Sequence, residues 1–221
     1  MPLDAPVASD PQPGAAMRVP PEGDSSPPGG SMLQVLPAAL GRAMSGLRPG
    51  INALLFAEAN VPAVIQVTSP AFTAGGRIPA LYTADGPGLS PPLAWRGVPR
   101  GTASLVLVVE DADSPTPRPL VHAVVTALPP GDGGLASGDL PGAGKPGLPG
   151  LGMGRNSYFR KGWLPPDPPP GHGPHRYAFQ LFALRQPPAS LAGWQGRSAL
   201  RRVFQDGVLA KGCLIGTCAR P

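Results

Sequence analysis

Residues 104–115 read Ser-Leu-Val-Leu-Val-Val-Glu-Asp-Ala-Asp-Ser-Pro and join a continuous aliphatic run to a short acidic turn. An unbroken run of Leu and Val of this length is typical of a strand that is buried on both faces. Asp111 and Asp113 would then lie at the end of that strand, where the mouth of a sheet can hold a binding site. The stretch therefore predicts a core strand and the position of candidate functional residues.

Other strand-like segments flank this run, each bounded by turn residues. They are Val64–Thr68, Val121–Ala127, Tyr177–Leu184 and Gly212–Thr217. Residues 131–150 contain 8 Gly and no periodic pattern, so a long loop without strand or helix is predicted there. One helix is predicted inside the domain, over Arg197–Leu209, with an apolar face formed by Leu200, Val203, Phe204 and Val208. Many short strands with few helices predict a mainly β domain.

The chain before Val61 divides into two parts. Residues 1–31 are rich in Pro, Gly and acids and have little to bury, which predicts a disordered tail. Residues 32–60 carry apolar side chains at helical spacing, and Pro49-Gly50 should divide them into two helices. That stripe consists of Leu33, Leu36, Leu40, Met44, Leu47, Ile51 and Leu54. We expect it to pack on the domain of residues 61–221 or on a second copy of the chain, with a membrane-surface helix as the alternative.

Composition excludes several classes of protein. With 31 Gly and 34 Pro among 221 residues but 42% hydrophobic and 14% charged residues, the chain is typical of a Pro- and Gly-rich globular domain. The net charge of +5 is not gathered into a basic stripe and aromatic residues make up 5%, so nucleic-acid binding is not expected. Cys213 and Cys218 are too few for a disulfide scaffold and fit a reducing compartment. Without a secretory signal or an apolar run of about 18 residues, we expect a cytoplasmic protein with no membrane span.

All three histidines belong to two short stretches of sequence. One runs from Val109 to Pro115 and is followed by His122, and the other runs from Pro168 to Tyr177 and contains His172 and His175. If they converge at one mouth of the sheet, the imidazoles, backbone N–H groups and a Tyr hydroxyl could bind a phosphate or carboxylate.

Two other chemistries fit the same residue types. Asp111, His122 and His175 could bind a transition metal, or an Asp-supported His could act as the general base of a hydrolase. The hydrolase is weakened because no Gly-x-Ser-x-Gly motif occurs. Taken singly, an Asp after a strand is more often a turn former, and a His in a strand is more often a core residue.

Several motifs occur in order between Thr68 and Ala219. They are Thr68-Ser69-Pro70-Ala71-Phe72, Tyr82-Thr83-Ala84-Asp85-Gly86, Leu89-Ser90-Pro91-Pro92-Leu93-Ala94-Trp95, Val98-Pro99, Gly101-Thr102, Asp111-Ala112-Asp113-Ser114-Pro115, His122, Gly154-Arg155-Asn156-Ser157, the run from Pro168 to Tyr177, and Gly216-Thr217-Cys218. Together they resemble the phosphatidylethanolamine-binding protein family, in particular its short prokaryotic Raf-kinase-inhibitor-like branch.

The resemblance implies a β-sandwich of two antiparallel sheets with a few short helices and a small anion pocket at one end. The implied ligand-binding residues are Asp111, Asp113, Pro115, His122, Pro169, Gly173, His175 and Tyr177. In this scheme Asp111 and His122 face the ligand, His175 lies across from them and Tyr177 closes one side. Period-two alternation turns Arg176 the other way, so we expect it to pair with Asp113, which would then orient the loop.

The sequence also departs from the family pattern. Ala112 replaces the usual Pro of the first acidic motif, and Leu120 stands where an aromatic residue usually precedes His122 by two positions. The chain ends at Pro221, directly after the last predicted strand, so we do not expect the C-terminal helix that gates the pocket in the eukaryotic branch.

The function expected from this resemblance is a non-enzymatic binding protein without a cofactor, a catalytic residue or a metal ligand. Its partners would be a phosphate-type small molecule or a phospholipid headgroup, and a regulated partner protein that the sequence does not identify. A homodimer formed through residues 32–60 is a further expectation. The alternative function is a metal-dependent enzyme, a hydrolase or an oxygenase, that uses Asp111, His122 and His175. A third reading is an interaction module with a vestigial pocket.

Overall fold

The computed structural model describes residues 36–143, 145, 148–187, 197, 200, 201, 204 and 207–221. Strands within these residues form two antiparallel sheets, which confirms the predicted mainly β sandwich. In chain order they are β1 (Gln66–Thr68), β2 (Leu93–Arg96), β3 (Ser104–Asp111), β4 (Leu120–Leu128), β5 (Gly133–Leu135), β6 (Gly152–Met153), β7 (His175–Leu184) and β8 (Val208–Cys218). The small sheet has the order β1-β2-β5, and the large sheet has the order β6-β4-β3-β7-β8.

Strand β3 lies at the centre of the large sheet and every one of its residues is buried, as its aliphatic sequence predicts. Alternate side chains of β3 supply two different cores. Leu105, Leu107 and Val109 face the small sheet and pack in the core of the sandwich. Val106 and Val108 face the other way, into a second cluster that includes Leu55 and Leu200 from outside the two sheets. The large sheet is therefore covered on both faces.

The strands β4, β7 and β8 extend the predicted segments by a few residues at their ends, whereas β1 is shorter than predicted. The prediction of a structureless loop over residues 131–150 is wrong, because β5 lies within it and pairs with β2. Two glycines allow this close approach. A Cβ on Gly134 would lie 2.5 Å from the Leu93 carbonyl oxygen, and one on Gly133 would contact the Trp95 ring. Gly133 and Gly134 gave no strand pattern in the sequence, yet they are the residues that let β5 lie close to β2.

The N-terminal extension forms two short helices, α1 (Ala38–Ala43) and α2 (Leu55–Glu58), with a 3₁₀ turn over Ile51–Ala53 between them. The predicted apolar stripe is only partly buried on the domain. Leu54 is buried, whereas Leu40, Leu47 and Ile51 are 45%, 58% and 42% exposed, and their packing on a second copy stays a prediction. Helix α1 packs through Gly41, where a Cβ would lie 1.9 Å from the Pro170 carbonyl oxygen. Backbone contact with residues 170–172 therefore holds helix α1 on the domain.

Helix α2 packs on the outer face of the large sheet through Leu55, which is fully buried. The predicted helix over Arg197–Leu209 ends earlier, because Val208 and Leu209 belong to β8 and Val208 pairs with Leu184 of β7. Of the predicted helix, the structure describes Arg197, Leu200, Arg201 and Phe204 as helical, and Val203 lies outside the described residues. The predicted tail over residues 1–31 lies outside them as well. No helix in the described part of the chain has the length and apolar character needed to cross a bilayer.

A buried ion pair joins this outer layer to β3. Glu110 is fully buried, and its carboxylate accepts hydrogen bonds from Arg197 Nε at 2.8 Å, Gln180 Nε2 at 2.9 Å and the Leu55 backbone N–H at 2.9 Å. Burial, the largest effect, raises the pKa of Glu110, and the Arg197 guanidinium acts in the opposite direction. Arg197 also donates to the Ala53 carbonyl and pairs with Glu58. The sheet, helix α2 and the helical residues near 200 are thus held by one network.

Candidate functional site

The ends of β3 and β7 bring the first two site residues together. Asp111 ends β3 opposite Tyr177, and His175 begins β7 two residues earlier. Asp111 Oδ2 lies 2.7 Å from His175 Nδ1, and Asp111 Oδ1 accepts a hydrogen bond from the Asp113 backbone N–H at 2.8 Å. Both side chains are buried. The antiparallel pairing of two buried strands therefore places a carboxylate and an imidazole in direct contact.

His122 reaches the site through a β-bulge in β4. Val109 pairs with Ala123 and the next β3 residue, Glu110, pairs with Val121, so His122 is the extra residue of the bulge. A bulge interrupts side-chain alternation and re-aims the residue that it contains. The His122 ring lies 5.1 Å from the Tyr177 ring and 6.5 Å from the Trp163 ring. Its Nδ1 is 2.8 Å from the Leu164 carbonyl oxygen, which fixes the proton on Nδ1 and leaves Nε2 with a lone pair.

Two buried polar atoms of this group lack a hydrogen-bond partner, namely His122 Nε2 and Tyr177 Oη. Tyr177 Oη approaches the backbone of Asp167 without a hydrogen bond of normal geometry. Burial, followed by the Asp111 carboxylate, raises the pKa of Tyr177 well above its usual value, so the phenol keeps its proton. Burial also lowers the pKa of His122, which favours the neutral ring. The site thus presents one free donor and one free acceptor, and buried groups of this kind are normally satisfied.

His172 continues the chain of hydrogen bonds away from the site. Its Nδ1 lies 2.7 Å from His175 Nε2, and its Nε2 lies 2.9 Å from the carbonyl oxygen of Met44, directly after helix α1. Three links follow one another, from Asp111 to His175, to His172 and to Met44, and each link needs a hydrogen. A carboxylate and two neutral imidazoles supply only two hydrogens between them. All three bonds therefore form together only when the chain carries one additional proton.

The surroundings of His172 favour its neutral form. Burial, together with the neighbouring His175 and Arg48, lowers the pKa of His172. A neutral His172 then donates from Nε2 to Met44 and accepts at Nδ1 from His175. The His175 ring lies at the edge of the site beside the Asp111 carboxylate, and its centroid is 6.4 Å from that of the Tyr177 ring.

Asp113 is fully buried and forms the ion pair expected with Arg176. Both contacts from Arg176, Nε to Oδ2 and Nη2 to Oδ1, are 2.7 Å long, and the Arg176 backbone N–H also donates to Oδ2 at 2.9 Å. These hydrogen bonds lower the pKa of Asp113 against the opposing effect of burial. Arg48 Nη1 lies 3.4 Å from Asp113 and donates to the Pro174 carbonyl at 2.7 Å. Asp113 therefore anchors the turn and the N-terminal extension.

The structure brings Asp111, His122, His175 and Tyr177 of the predicted set into one cluster. Pro115 is half-buried in the turn after Asp113. Pro169 contributes its carbonyl to a turn with the His172 N–H at 3.2 Å, and Gly173 lies against Arg48, where a Cβ would be 3.1 Å from Nη2. These contacts give Pro169 and Gly173 a role in shaping the loop, and their contact with a ligand stays a prediction.

Several contributors were missed in the sequence. The Leu164 carbonyl orients the His122 ring. Trp163 supplies an aromatic ring beside His122, although Leu120 stands where the family usually has an aromatic residue. His172 was noticed but not assigned to the site, although two histidines within one Gly/Pro-rich loop were a usable signal. Arg48 lies more than 120 residues from His172 and carried no local signal. Only the fold shows that it contacts this loop.

The metal-dependent alternative finds no support in the ligand geometry. Among the residues that the structure describes, no group of three or more His, Cys, Asp or Glu side chains is arranged to hold a metal ion. His175 has Asp111 at Nδ1 and His172 at Nε2, so both nitrogens are already within hydrogen-bond distance of protein atoms.

Comparison with known proteins places this site in a family. The family model described as phosphatidylethanolamine-binding protein matches residues 68–219. The chain is 35% identical to the UPF0098 protein of Aquifex aeolicus over 77% of this chain and 96% of the relative. It is 38% identical to a UPF0098 protein of Mycobacterium bovis over 81% of this chain and 77% of the relative.

Solved structures give the same result. The phosphatidylethanolamine-binding protein homologue CT736 of Chlamydia trachomatis superposes with a TM-score of 0.61 at 32% identity, covering 72% of this chain and 99% of CT736. YbcL of E. coli, described as a new member of the mammalian family, superposes with a TM-score of 0.66 at 26% identity, covering 72% of this chain and all of YbcL, 100%. Because the matched segment contains the whole of the large sheet, most of the small sheet and every residue of the cluster, the chain belongs to the phosphatidylethanolamine-binding protein family.

Proposed function

We propose that the protein binds a small phosphate-bearing ligand, free or as a phospholipid headgroup, at the cluster of Asp111, His122, His175 and Tyr177. The observation that carries this proposal is the pair of buried, unpartnered atoms, His122 Nε2 and Tyr177 Oη. A ligand oxygen would accept a hydrogen bond from the Tyr177 hydroxyl.

The free acceptor on His122, the Nε2 atom, requires that the ligand donate a hydrogen bond or that the ring be protonated. With Nδ1–H donating to Leu164, a neutral His122 accepts a hydrogen at Nε2. A phosphomonoester monoanion carries a P–OH group that could donate there, because its second pKa is about 6. A phosphodiester, such as an intact phospholipid headgroup, has no such hydrogen. It would bind with His122 protonated, and therefore better at lower pH.

Calorimetric titration of the full chain with phosphoethanolamine tests the proposal. We expect saturable binding that is weakened at least tenfold by Tyr177→Phe, which removes only the hydroxyl. Tyr82→Phe is the matched control, because Tyr82 is a buried tyrosine of the sandwich core outside the cluster. Metal analysis of the sample accompanies the titration. Equal affinity of wild type and Tyr177→Phe, or absence of binding, would overturn the proposal.

We infer a binding protein rather than an enzyme, since the Tyr177 hydroxyl and the His122 ring are suited to hold a ligand through hydrogen bonds. A regulatory interaction with a partner protein would then depend on whether the site is occupied. A cytoplasmic location and a homodimer through residues 32–60 stay predictions, and cell fractionation and analytical ultracentrifugation would test them. One relative in Mycobacterium tuberculosis, 38% identical over 62% of this chain, is named a lipoprotein, which makes the fractionation informative.

A further inference from the structure

A tight turn projects from the domain between β6 and β7. The Asn156 side chain organises it, since Oδ1 accepts hydrogen bonds from the backbone N–H groups of Tyr158 at 3.0 Å and Arg160 at 3.3 Å. The backbone closes the turn through Asn156 N–H to Arg160 O and Phe159 N–H to Asn156 O, both at 2.9 Å. Phe159 has a φ of 60°, a left-handed conformation that is uncommon for a bulky residue. The turn therefore holds Tyr158 and Phe159 at its tip.

The two aromatic side chains at this tip are exposed to solvent. Phe159 is 68% exposed, the highest value among the large hydrophobic residues described, and Tyr158 is 49% exposed. The remaining aromatic residue of this segment, Trp163, is buried in the core. Placing an exposed Phe in a strained turn has a cost without a packing benefit in the isolated domain. Because backbone strain of this kind is concentrated at functional sites, the turn is a candidate interaction site.

Positive charge surrounds the tip. Arg155, Arg160 and Lys161 flank it in sequence and are exposed, and no acid occurs anywhere between residues 140 and 166. Arg118 joins them in space, because Arg118, Arg155 and Tyr158 line one surface cleft of about 460 Å³. None of these four cations forms an ion pair with another described residue. We call Arg118, Arg155, Tyr158, Phe159, Arg160 and Lys161 the aromatic-basic surface.

The aromatic-basic surface lies at the same end of the large sheet as the candidate site. Ser157 follows Asn156 in the turn, and its N–H and hydroxyl bond the backbone of Val121, the neighbour of His122, at 2.9 and 2.8 Å. Burial, followed by the carboxylates of Asp167 and Asp111, raises the pKa of Tyr158.

We propose that the aromatic-basic surface docks the protein on an anionic lipid bilayer, with the Phe159 and Tyr158 rings at the headgroup level and the four cations at the phosphates. Aromatic rings favour the bilayer interface, and clustered Lys and Arg are attracted to anionic leaflets. A projecting tip of two rings suits insertion into a deformable interface. A stable protein partner would need a matching face of roughly 800 Å² per side. The inference does not depend on the ligand of the candidate site.

Vesicle flotation with the full chain tests this proposal. The vesicles consist of phosphatidylcholine with or without about 30% phosphatidylserine, which gives the surface a negative potential. We expect binding only to the anionic vesicles and a loss of binding in high salt. Phe159→Ser should weaken the partition about tenfold. Arg160→Gln with Lys161→Gln should weaken it about fivefold per charge removed.

Matched controls lie at the opposite end of the domain. Val64 is 57% exposed, and Arg96 and Arg100 are exposed residues before the start of β3. Val64→Ser and the pair Arg96→Gln with Arg100→Gln should leave vesicle binding unchanged. A Phe159→Trp variant adds a direct readout that needs no loss of function, since its extra fluorescence should be quenched by brominated lipid.

The outcomes that contradict the proposal are specific. It is overturned if the anionic vesicles do not bind the protein or if the control variants weaken binding as much as the tip variants. It is also overturned if brominated lipid leaves the Phe159→Trp fluorescence unquenched. Binding of soluble poly-glutamate or nucleic acid without vesicle binding would overturn it too, in favour of an acidic macromolecule. Loss of phosphoethanolamine binding in Tyr177→Phe with vesicle binding retained would separate the two proposals.

Discussion

Replacing Gly41 by Ala should destabilise the protein, although the same change in an ordinary helix is stabilising. Gly41 lies in helix α1 with ordinary helical backbone, where Ala is favoured by about 1 kcal/mol. The added methyl carbon would, however, lie 1.9 Å from the Pro170 carbonyl oxygen and 2.9 Å from the His172 backbone nitrogen. Both contacts are with backbone atoms, which cannot turn aside as a side chain can. The helix must therefore move away from the loop by more than about 1 Å to restore an ordinary contact distance of about 3.5 Å.

The cost follows from the hydrogen bonds that cross this contact. The His172 ring donates to the Met44 carbonyl, and Arg48 donates to the carbonyls of Pro174 and His172. A net value of about 1 kcal/mol for each bond gives a loss of about 3 kcal/mol if all three break. The helix propensity of Ala offsets about 1 kcal/mol of this loss. We therefore expect Gly41→Ala to lower the free energy of unfolding by about 2 kcal/mol.

Urea denaturation of the full chain measures this difference. The matched control is Gly46→Ala in the same segment, because a Cβ at Gly46 would have no atom within 4 Å. Gly46→Ala should keep or slightly raise stability, by up to about 1 kcal/mol. The reasoning is refuted if Gly41→Ala is as stable as Gly46→Ala. Because the His172 ring contacts His175, Gly41→Ala should also weaken phosphoethanolamine binding, which Gly46→Ala should not.

Three further predictions concern other buried groups. Affinity for dimethyl phosphate, a phosphodiester of constant charge, should rise as the pH falls, because protonated His122 favours the anion. Burial lowers the pKa of His122 in the free protein, so the rise should level off only below pH 6.5. A flat titration from about pH 7.5 to about pH 5, the range of histidine titration, would contradict this. Glu110→Ala leaves the buried Arg197 guanidinium with Glu58 as its remaining carboxylate partner and removes the acceptor of the Gln180 and Leu55 hydrogen bonds, so it should cost about 3 kcal/mol in urea denaturation. A loss below about 1 kcal/mol would disprove the role of the network. Burial, the largest effect in each case, raises the pKa of Cys213 to about 12 and that of Cys218 to about 11, so neither thiol should react within minutes at pH 8 in the folded protein, whereas both should react in denaturant.

The sandwich could be predicted from the sequence because its strands carry distinct patterns. The aliphatic run of β3 and the segments of β4, β7 and β8 each bury enough apolar side chains to be recognised. Strand β5 could not be recognised, since Gly133 and Gly134 have no side chains and fit against Trp95 and Leu93 by close backbone approach. Side-chain periodicity cannot predict a strand whose contact with its neighbour depends on residues that have no side chain.

The site was predicted in part for a similar reason. Asp111, His175 and Tyr177 lie at strand ends, and strand pairing alone brings them together. The re-aiming of His122 depends on a bulge, which period-two alternation does not foresee. The ion pair between Asp113 and Arg176 followed from alternation and is confirmed.

The N-terminal extension shows a different limit of sequence patterns. Of its apolar stripe Leu54 is buried, and the other contacts with the domain are made by Gly41 and by the polar groups of Met44 and Arg48. Hydrogen bonds to a loop more than 120 residues away leave no trace in local periodicity. The helices could be predicted from spacing, but the surface that they use could not.

The N-terminal extension packs on the domain although it lies outside the segment that the family model matches. The family match covers residues 68–219, yet Leu55 covers the outer face of β3, Glu110 receives a hydrogen bond from the Leu55 N–H, and Arg48 contacts Asp113. A fragment trimmed to residues 68–219 would keep Asp111, His122, His175 and Tyr177 while exposing the outer face of β3. For this chain the segment that the family model matches is shorter than the packed structure, and a minimal expression fragment should begin before Pro37.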